Sequence, residues 1–92
     1  MYFDYCATTP VSAEVLTAMA PFWQEKFGNP SSLHQDGQSA AKALQQARAQ
    51  VAGLLGAEAG EIIFTSGATE ADNLALMGIL RPWENKAVHL IT

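Results

Sequence analysis

The sequence predicts an α/β fold that is incomplete as a domain. Residues 61–64 and 87–92 are short apolar segments of strand character, and residues 69–80 between them have the pattern of a helix. A strand, a helix and a second strand in this order predict a βαβ unit, with a parallel strand pair and a right-handed crossover. Two parallel strands do not make a finished sheet, so the prediction is only the start of a parallel-rich sheet.

The residues before this unit predict an N-terminal arm and a first helix. The aromatic segment YFDY, residues 2–5, has strand character, and Pro10 ends it because proline cannot donate to a ladder. Ser12 is a predicted N-cap, since a serine hydroxyl accepts from an early backbone N–H of a helix. The segment GNP, residues 28–30, is predicted to end this helix.

A long helix over residues 36–55 has the clearest pattern in the chain. Its apolar residues share one face at helical spacing, namely Ala40, Leu44, Ala47, Val51, Leu54 and Leu55. Ser31 or Ser32 would cap its start, and Gly56 fits the position just after its end. The pattern indicates that this helix packs on an apolar surface.

The composition suits at most one small domain, with 92 residues of which 49% are hydrophobic. Charged residues make up 15% of the chain, against about 25% in typical soluble domains. Two explanations of this low charge are open. Either part of the surface packs against further protein, or the chain is rich in alanine and simply has few charged surface residues. The formal net charge is −4 and the five basic residues are scattered. No nucleic-acid partner is predicted, because such binding needs clustered Lys and Arg.

Disulfide, targeting and membrane patterns are absent from the sequence. The single cysteine, Cys6, cannot form an intramolecular disulfide. The N-terminus lacks the basic segment and apolar run of a signal peptide. No apolar stretch approaches the roughly 20 residues that a membrane span requires. We therefore expect a cytoplasmic protein without a membrane partner, and no metal site is predicted.

The segment TSGATE, residues 65–70, connects the first predicted strand to the following helix. The first N–H groups of a helix lack internal partners and lie at the positive end of its dipole, so they bind anions readily. Gly67 has no Cβ and a permissive φ, Ala68 leaves its N–H accessible, and Thr69 offers a hydroxyl. These features predict a phosphate site. The alternative is an ordinary helix start that Ser66 or Thr69 caps.

Several motifs together resemble the opening segment of one enzyme family. They are YFDYCATTP, FGNPSSLH and EIIFTSGATEADNLA. Their content and spacing are similar to those of cysteine desulfurases, in the class V branch of the fold-type I enzymes that use pyridoxal 5'-phosphate (PLP). The resemblance covers nearly the whole chain, whereas family members are several times longer. It implies a PLP-dependent transferase-like fold, in which residues 1–28 are the arm and first helix on the small-domain side and residues 29–92 begin the large PLP-binding domain.

The resemblance also implies which residues bind the cofactor and face the substrate. Ala68, through its backbone N–H, and Thr69, through its N–H and hydroxyl, would hold the PLP phosphate. Weaker candidates for the substrate side, near the active-site mouth and the dimer interface, are Ala7, Thr8, Asn29 and His34. For Asn29 simple turn chemistry is an open alternative. For His34 a local hydrogen bond at the helix start is the favoured interpretation.

No residue of this chain is predicted to be catalytic. In the family, the nucleophilic cysteine, the lysine that forms the Schiff base with PLP and the histidine that stacks on its ring are expected beyond residue 92. Cys6 is expected to be a small buried side chain, and His89 an ordinary strand residue. The chain by itself is therefore predicted to be inactive.

The implied activity of the complete protein is the conversion of L-cysteine to L-alanine, with the sulfur transferred to an enzyme cysteine as a persulfide. The sulfur would pass on to an iron–sulfur scaffold or to other acceptor proteins for thiolation, and a homodimer is implied. Two alternatives stay open. One is a stand-alone βαβ module that binds a phosphate ligand or a partner without catalysis. The other is the N-terminal part of a sister enzyme, such as a selenocysteine lyase.

Overall fold

The computed structural model of the chain describes residues 1–83 and 86–91. This part of the chain contains four α-helices, namely α1 (Ala13–Met19), α2 (Pro21–Gln24), α3 (Gln35–Leu55) and α4 (Ala68–Leu80). Two short 3₁₀ helices, Ala59–Glu61 and Arg81–Trp83, follow α3 and α4. Residues Met1–Ala59 form one compact unit, and the described residues from Gly60 onward form a second. The arm and α1 to α3 therefore belong to the first unit, and α4 belongs to the second.

The predicted strands are absent from the described part of the chain. Residues 2–5, 62–65 and 87–91 lie outside any helix or strand, and Thr92 lies outside the described residues. A strand exists only through its hydrogen bonds to a neighbouring strand, and an isolated pair of strands is marginal in water. Among the described residues these segments do not pair with one another, so no ladder forms. The helix of the predicted βαβ unit is present, but the described residues on either side of it form no strand.

The first predicted helix is split in two. Its N-cap is confirmed, because the Ser12 hydroxyl accepts a hydrogen bond from the Val15 N–H at 3.4 Å. The helix ends at Met19, however, and Pro21 begins α2. Proline has no N–H to continue the helical ladder, but it is well suited to a first helical position. The prediction that one helix runs to Gly28 is therefore wrong.

The long helix α3 agrees with its predicted range of 36–55 to within one residue. Its end is confirmed too, because Gly56 has a φ of 68°, in the left-handed region that favours glycine. The Ala57 N–H donates to the Ala52 carbonyl at 2.9 Å, which satisfies one of the last carbonyl groups of the helix. The predicted serine cap is wrong, because His34 is the N-cap residue of α3.

The described residues bury very little apolar surface among themselves. Ala52 is the buried hydrophobic residue of this part of the chain, and large side chains such as Leu33, Leu54 and Trp23 are 90%, 85% and 75% exposed. Burial of apolar area is the main driving force of folding. The apolar faces of these helices therefore become stabilising only where further protein covers them.

An open apolar groove of about 400 Å³ runs beside α4 within the second unit. Its walls are the extended segment that contains Ile63 and the helix face that carries Leu74, Ala75, Gly78 and Ile79. Small residues such as Ala75 and Gly78 allow another backbone to approach a helix closely. The groove is therefore a surface on which a sheet could pack.

Gly37, in the first turn of α3, is held in a tight contact that only glycine allows. A Cβ at this position would lie 2.3 Å from the Ser32 carbonyl oxygen and 2.8 Å from the Asn29 carbonyl oxygen. We expect Gly37→Ala to lower the free energy of unfolding by about 1–3 kcal/mol, because backbone atoms would have to move to admit the methyl group. Urea unfolding of the full-length protein that carries this segment would measure the loss.

Gly53, on the same helix, provides the matched control. A Cβ there would meet nothing within 4 Å, so Gly53→Ala should raise stability by about 0.5–1 kcal/mol through the better helix propensity of alanine. If both substitutions raised stability, the tight contact at Gly37 would not exist in solution.

Candidate functional site

The start of α4 is a helix N-terminus without a side-chain cap. Gly67 is the N-cap residue, and among the described residues no side chain accepts a capping hydrogen bond there. The Gly67 carbonyl accepts the Ala71 N–H at 3.1 Å, which begins the helical ladder. Ala68 and Thr69 are the first two helical residues, and their N–H groups come before that ladder. The helix therefore presents backbone donors that an external acceptor is able to satisfy.

The space next to Gly67 is open. Nothing in the described residues lies within 4 Å of the position that a Cβ would occupy. Its φ of 165° is extended backbone, which any residue adopts. The predicted reason for a glycine here, a permissive φ, is therefore wrong. The other predicted reason, the missing Cβ, is compatible with the structure, because a backbone without a side chain lets an anion approach the helix start.

Glu70 ties the loop to the helix. Its Oε2 atom accepts two hydrogen bonds from Ser66, one from the backbone N–H at 2.7 Å and one from the hydroxyl at 2.6 Å. These bonds, the hydroxyl first and the N–H second, lower the pKa of Glu70 below its ordinary value of 4.5. The alternative in which Ser66 or Thr69 caps the helix is not observed, because no described side chain caps it and the Ser66 hydroxyl is directed to Glu70.

Two further hydrogen bonds fix the backbone on either side of the N-cap. The Thr65 hydroxyl donates to the Gly67 carbonyl at 3.1 Å, and the Asn73 side-chain amide donates to the Thr69 carbonyl at 2.7 Å. Both bonds use carbonyl oxygens and leave backbone N–H groups untouched. The loop is thus held in place without consuming the donors that face outward from the helix start.

The dipole of α4 favours an anion at the helix start, where Glu70 is the acidic residue of the first turn. The N-terminus of a helix carries a partial positive charge of about half an elementary charge, and α4 is long enough to develop it. Ser66, Gly67, Ala68 and Thr69 are all exposed, so water or a ligand reaches them directly. Uncapped N–H groups at a helix start bind anions readily, and the phosphate site at Ala68 and Thr69 stays a prediction.

The four weaker candidates lie in the first unit, where the structure gives each a local bond. The N–H groups of Ala7 and Thr8 donate to the Asp4 carbonyl at 3.1 and 3.4 Å. The Asn29 side-chain oxygen accepts the Ser31 N–H at 2.9 Å, which is an Asx turn. The turn interpretation of Asn29 is thus present in the structure, and a substrate-side role for these residues stays a prediction.

His34 caps α3 through its ring. The Nδ1 atom accepts the Gly37 N–H at 3.3 Å, and this atom lies 4.0 Å from the Asp36 carboxylate. The local interpretation of His34 is confirmed by this bond. Because Nδ1 is the acceptor here, any hydrogen bond that the ring donates comes from Nε2.

The capping role of His34 predicts how two substitutions change the stability of the protein. His34→Ala should lower the free energy of unfolding by about 1 kcal/mol, because the Gly37 N–H loses its acceptor. His34→Asn should retain that stability, because asparagine is a good N-cap. Thermal unfolding of the full-length protein measures both. Equal losses in the two variants would contradict the capping role.

Sequence reasoning missed the two glycines that shape the loop between α2 and α3. A Cβ at Gly28 would lie 2.5 Å from the Asp36 carbonyl oxygen, and Gly37 is equally restricted. The available signal was a glycine in the first turn of an otherwise well-patterned helix, where glycine is unfavourable unless packing requires it. The loop from Gly28 to His34 is therefore packed closely on the start of α3.

The remaining predictions concern cysteine, metal and membrane. Cys6 is exposed in the arm, so the prediction of a buried small side chain is wrong. Within residues 1–83 and 86–91 no group of three or more His, Cys, Asp or Glu side chains is placed to hold a metal ion. No helix among the same residues is both long and apolar enough to cross a membrane.

Comparison with known proteins identifies the family. The sequence profile of the aminotransferase class-V family matches residues 1–92. A cysteine desulfurase IscS of Dictyoglomus turgidum is 49% identical over 92 residues, which are 100% of this chain and 23% of that protein. A cysteine desulfurase IscS of Rickettsia bellii is 53% identical over 93 residues, with the same coverage of both chains.

A solved structure supports the same relationship. The structure of a NifS-like protein matches with a TM-score of 0.87 and 44% identity, over 92% of this chain and 23% of that one. The chain belongs to the class-V aminotransferase family, and its fold is part of the fold of the NifS-like protein. It spans about 23% of the length of the curated relatives that it matches.

Proposed function

We propose that this chain is the N-terminal portion of a PLP-dependent cysteine desulfurase, and that it supplies the phosphate clamp of the cofactor site. Support for the reaction comes from relatives that carry the name cysteine desulfurase and align with the whole chain. Support for the clamp comes from the uncapped start of α4, with the open space beside Gly67. The substrate is L-cysteine, and the products are L-alanine and a sulfur atom carried as a persulfide on an enzyme cysteine.

PLP fits the donors at the start of α4. Its phosphate needs hydrogen-bond donors and a positive potential, and Ala68 and Thr69 offer two backbone N–H groups and a hydroxyl at the positive end of a helix. When bound, PLP withdraws electrons from the carbon atoms of an amino-acid substrate, which is the chemistry that cleavage of the carbon–sulfur bond requires. The role of this chain is to bind and orient the cofactor by its phosphate.

The chain offers no side chain to which we assign a chemical step. Cys6 lies in the N-terminal arm and is exposed, and the resemblance does not place it at the position of the nucleophile. The lysine and the cysteine that carry out the chemistry belong to the larger protein in this proposal. We assign the substrate side of the site to four residues that also make the local bonds described above, namely Ala7, Thr8, Asn29 and His34.

The sheet of the proposed enzyme also depends on the larger protein. We propose that residues 61–64 and 87–92 become strands when neighbouring strands pair with them, and that the sheet covers the groove beside α4. Residues 1–28 then lie on the small-domain side, and residues 29–92 begin the large domain. The complete enzyme is a homodimer that passes sulfur to an iron–sulfur scaffold or to other acceptor proteins.

Activity of the full-length protein tests this proposal. The protein is loaded with PLP and given L-cysteine and a thiol reductant, and alanine and sulfide are measured together. We expect one alanine for each sulfide released, and no activity from the 92-residue chain alone. L-selenocysteine in place of L-cysteine separates a desulfurase from a lyase that prefers the selenium substrate. A full-length protein that binds PLP but releases neither product from L-cysteine would contradict the proposed reaction.

A further inference from the structure

Glu70 occupies an unexpected place for a phosphate site, because it is an acidic residue in the first turn of the helix that would bind the anion. It is the third helical residue of α4. In a capping box, a carboxylate at this position accepts a hydrogen bond from the backbone N–H of the N-cap residue. Here the Oε2 atom instead accepts both of its hydrogen bonds from Ser66, which precedes the N-cap.

This contact determines where the loop backbone lies. Ser66 is held through two separate donors, its N–H at 2.7 Å and its hydroxyl at 2.6 Å, so neither the peptide nor the side chain rotates freely. Only Gly67 stands between Ser66 and the helix, and a Cβ on it would meet nothing within 4 Å. The Thr65 hydroxyl still holds the Gly67 carbonyl. Without the Glu70 contact, however, neither Ser66 donor is held, and the Ser66 peptide is free to turn toward the helix start.

We propose that Glu70 is a positioning residue for the phosphate clamp, which holds Ser66 back so that the N–H groups of Ala68 and Thr69 stay open to the PLP phosphate. The inference rests on the proposed function and adds a role that the phosphate donors themselves do not have. This role requires no contact of Glu70 with the phosphate or the substrate. It acts through Ser66, and its negative charge is engaged by the two Ser66 donors.

The sign of the effect on phosphate binding distinguishes this role from simple electrostatics. A carboxylate near a phosphate repels it, so charge alone predicts that removal of Glu70 tightens PLP binding. Positioning predicts the opposite, because a loop that must be ordered when the ligand binds weakens the affinity. A role in stability alone predicts no change in the preference for the phosphate group.

The test compares PLP with pyridoxal, which lacks the phosphate, on the full-length protein stripped of cofactor. The dissociation constants of both are measured by absorbance or fluorescence titration, and their ratio isolates the phosphate contribution. We expect Glu70→Ala to lower the preference for PLP by roughly tenfold, about the effect of losing one charge-assisted hydrogen bond. Glu70→Gln keeps an acceptor oxygen and should give an intermediate value.

Glu14 is the matched control. It lies in the first turn of α1, and its pKa is lowered by its own backbone N–H and then by the Ser12 side chain. Glu14→Ala therefore removes a first-turn carboxylate, whose pKa a serine also lowers, from a helix to which no phosphate is assigned. The ratio of the two dissociation constants should stay at its wild-type value.

Ser66→Ala keeps the inference testable if Glu70→Ala does not fold, because it removes only the hydroxyl donor and should lower the preference in part. A preference that stays constant or rises in the Glu70 and Ser66 variants would overturn the positioning role and leave the proposed clamp standing. A wild-type protein that binds PLP and pyridoxal equally well would overturn the clamp itself, and the positioning role with it.

Discussion

Replacement of Ala68 by proline is expected to weaken PLP binding by the full-length protein roughly 10- to 100-fold, which is the effect of losing a hydrogen bond to a charged group, and to leave the fold intact. Ala68 is the first residue of α4, a position where proline is well tolerated because its missing N–H has no partner within the helix. Gly67 before it is extended, which a following proline allows. The substitution therefore deletes one proposed phosphate donor with little damage to the helix.

Ala13→Pro is the matched control for this prediction. Ala13 is the first residue of α1, and Ser12 before it has a φ of −67° and a ψ of 154°, also in the extended region. The same chemical change is thus made at a helix start without a proposed ligand. PLP affinity is measured by titration of the cofactor-free protein, and circular dichroism reports the fold. If Ala68→Pro and Ala13→Pro gave the same affinity, the Ala68 N–H would not be a phosphate donor.

Substitution of Thr69 by valine is expected to weaken PLP binding by a similar factor, because the proposed site loses its hydroxyl donor. A hydrogen bond to a charged group contributes about 1.5–3 kcal/mol, and valine keeps the shape of threonine. Thr69→Ser restores the hydroxyl and should recover most of the affinity. The same cofactor titration measures the three proteins side by side.

Thr17→Val is the corresponding control for Thr69→Val. Thr17 lies in α1, where its hydroxyl donates to the Ala13 carbonyl at 2.8 Å. Its loss should leave PLP affinity unchanged, since this hydroxyl bonds within a helix to which no ligand is assigned. Equal effects of the two threonine substitutions, or no rescue by Thr69→Ser, would show that the Thr69 hydroxyl does not reach the phosphate.

The helices could be predicted from the sequence because their signals are local. The range of α3 follows from its apolar periodicity and from Gly56, and the range of α4 follows from the small polar loop before it. The break at Pro21 was also visible in the sequence, but the apolar pattern across it suggested one continuous helix. The His34 cap was harder to predict, because two serines stand closer to the usual capping composition.

The strands could not be predicted reliably from this stretch of sequence, because a strand depends on partners that are distant in the chain. Apolar β-branched residues at 61–64 indicate strand character, but the described residues contain no ladder for them. The candidate site likewise has one part that the sequence predicts and one part that it does not. The small residues of the loop predicted an anion site from local chemistry, whereas the bond from Ser66 to Glu70 depends on side-chain geometry that the sequence pattern leaves open.

The position of the PLP phosphate in a structure of the full-length protein is the most direct test of the central claim. The account predicts that phosphate oxygens lie about 2.7–3.2 Å from the backbone nitrogens of Ala68 and Thr69 and from the Thr69 hydroxyl oxygen. Glu70 should still accept from Ser66 in that structure. A phosphate bound at another helix start or by other side chains, with Ala68 and Thr69 facing water, would contradict the account.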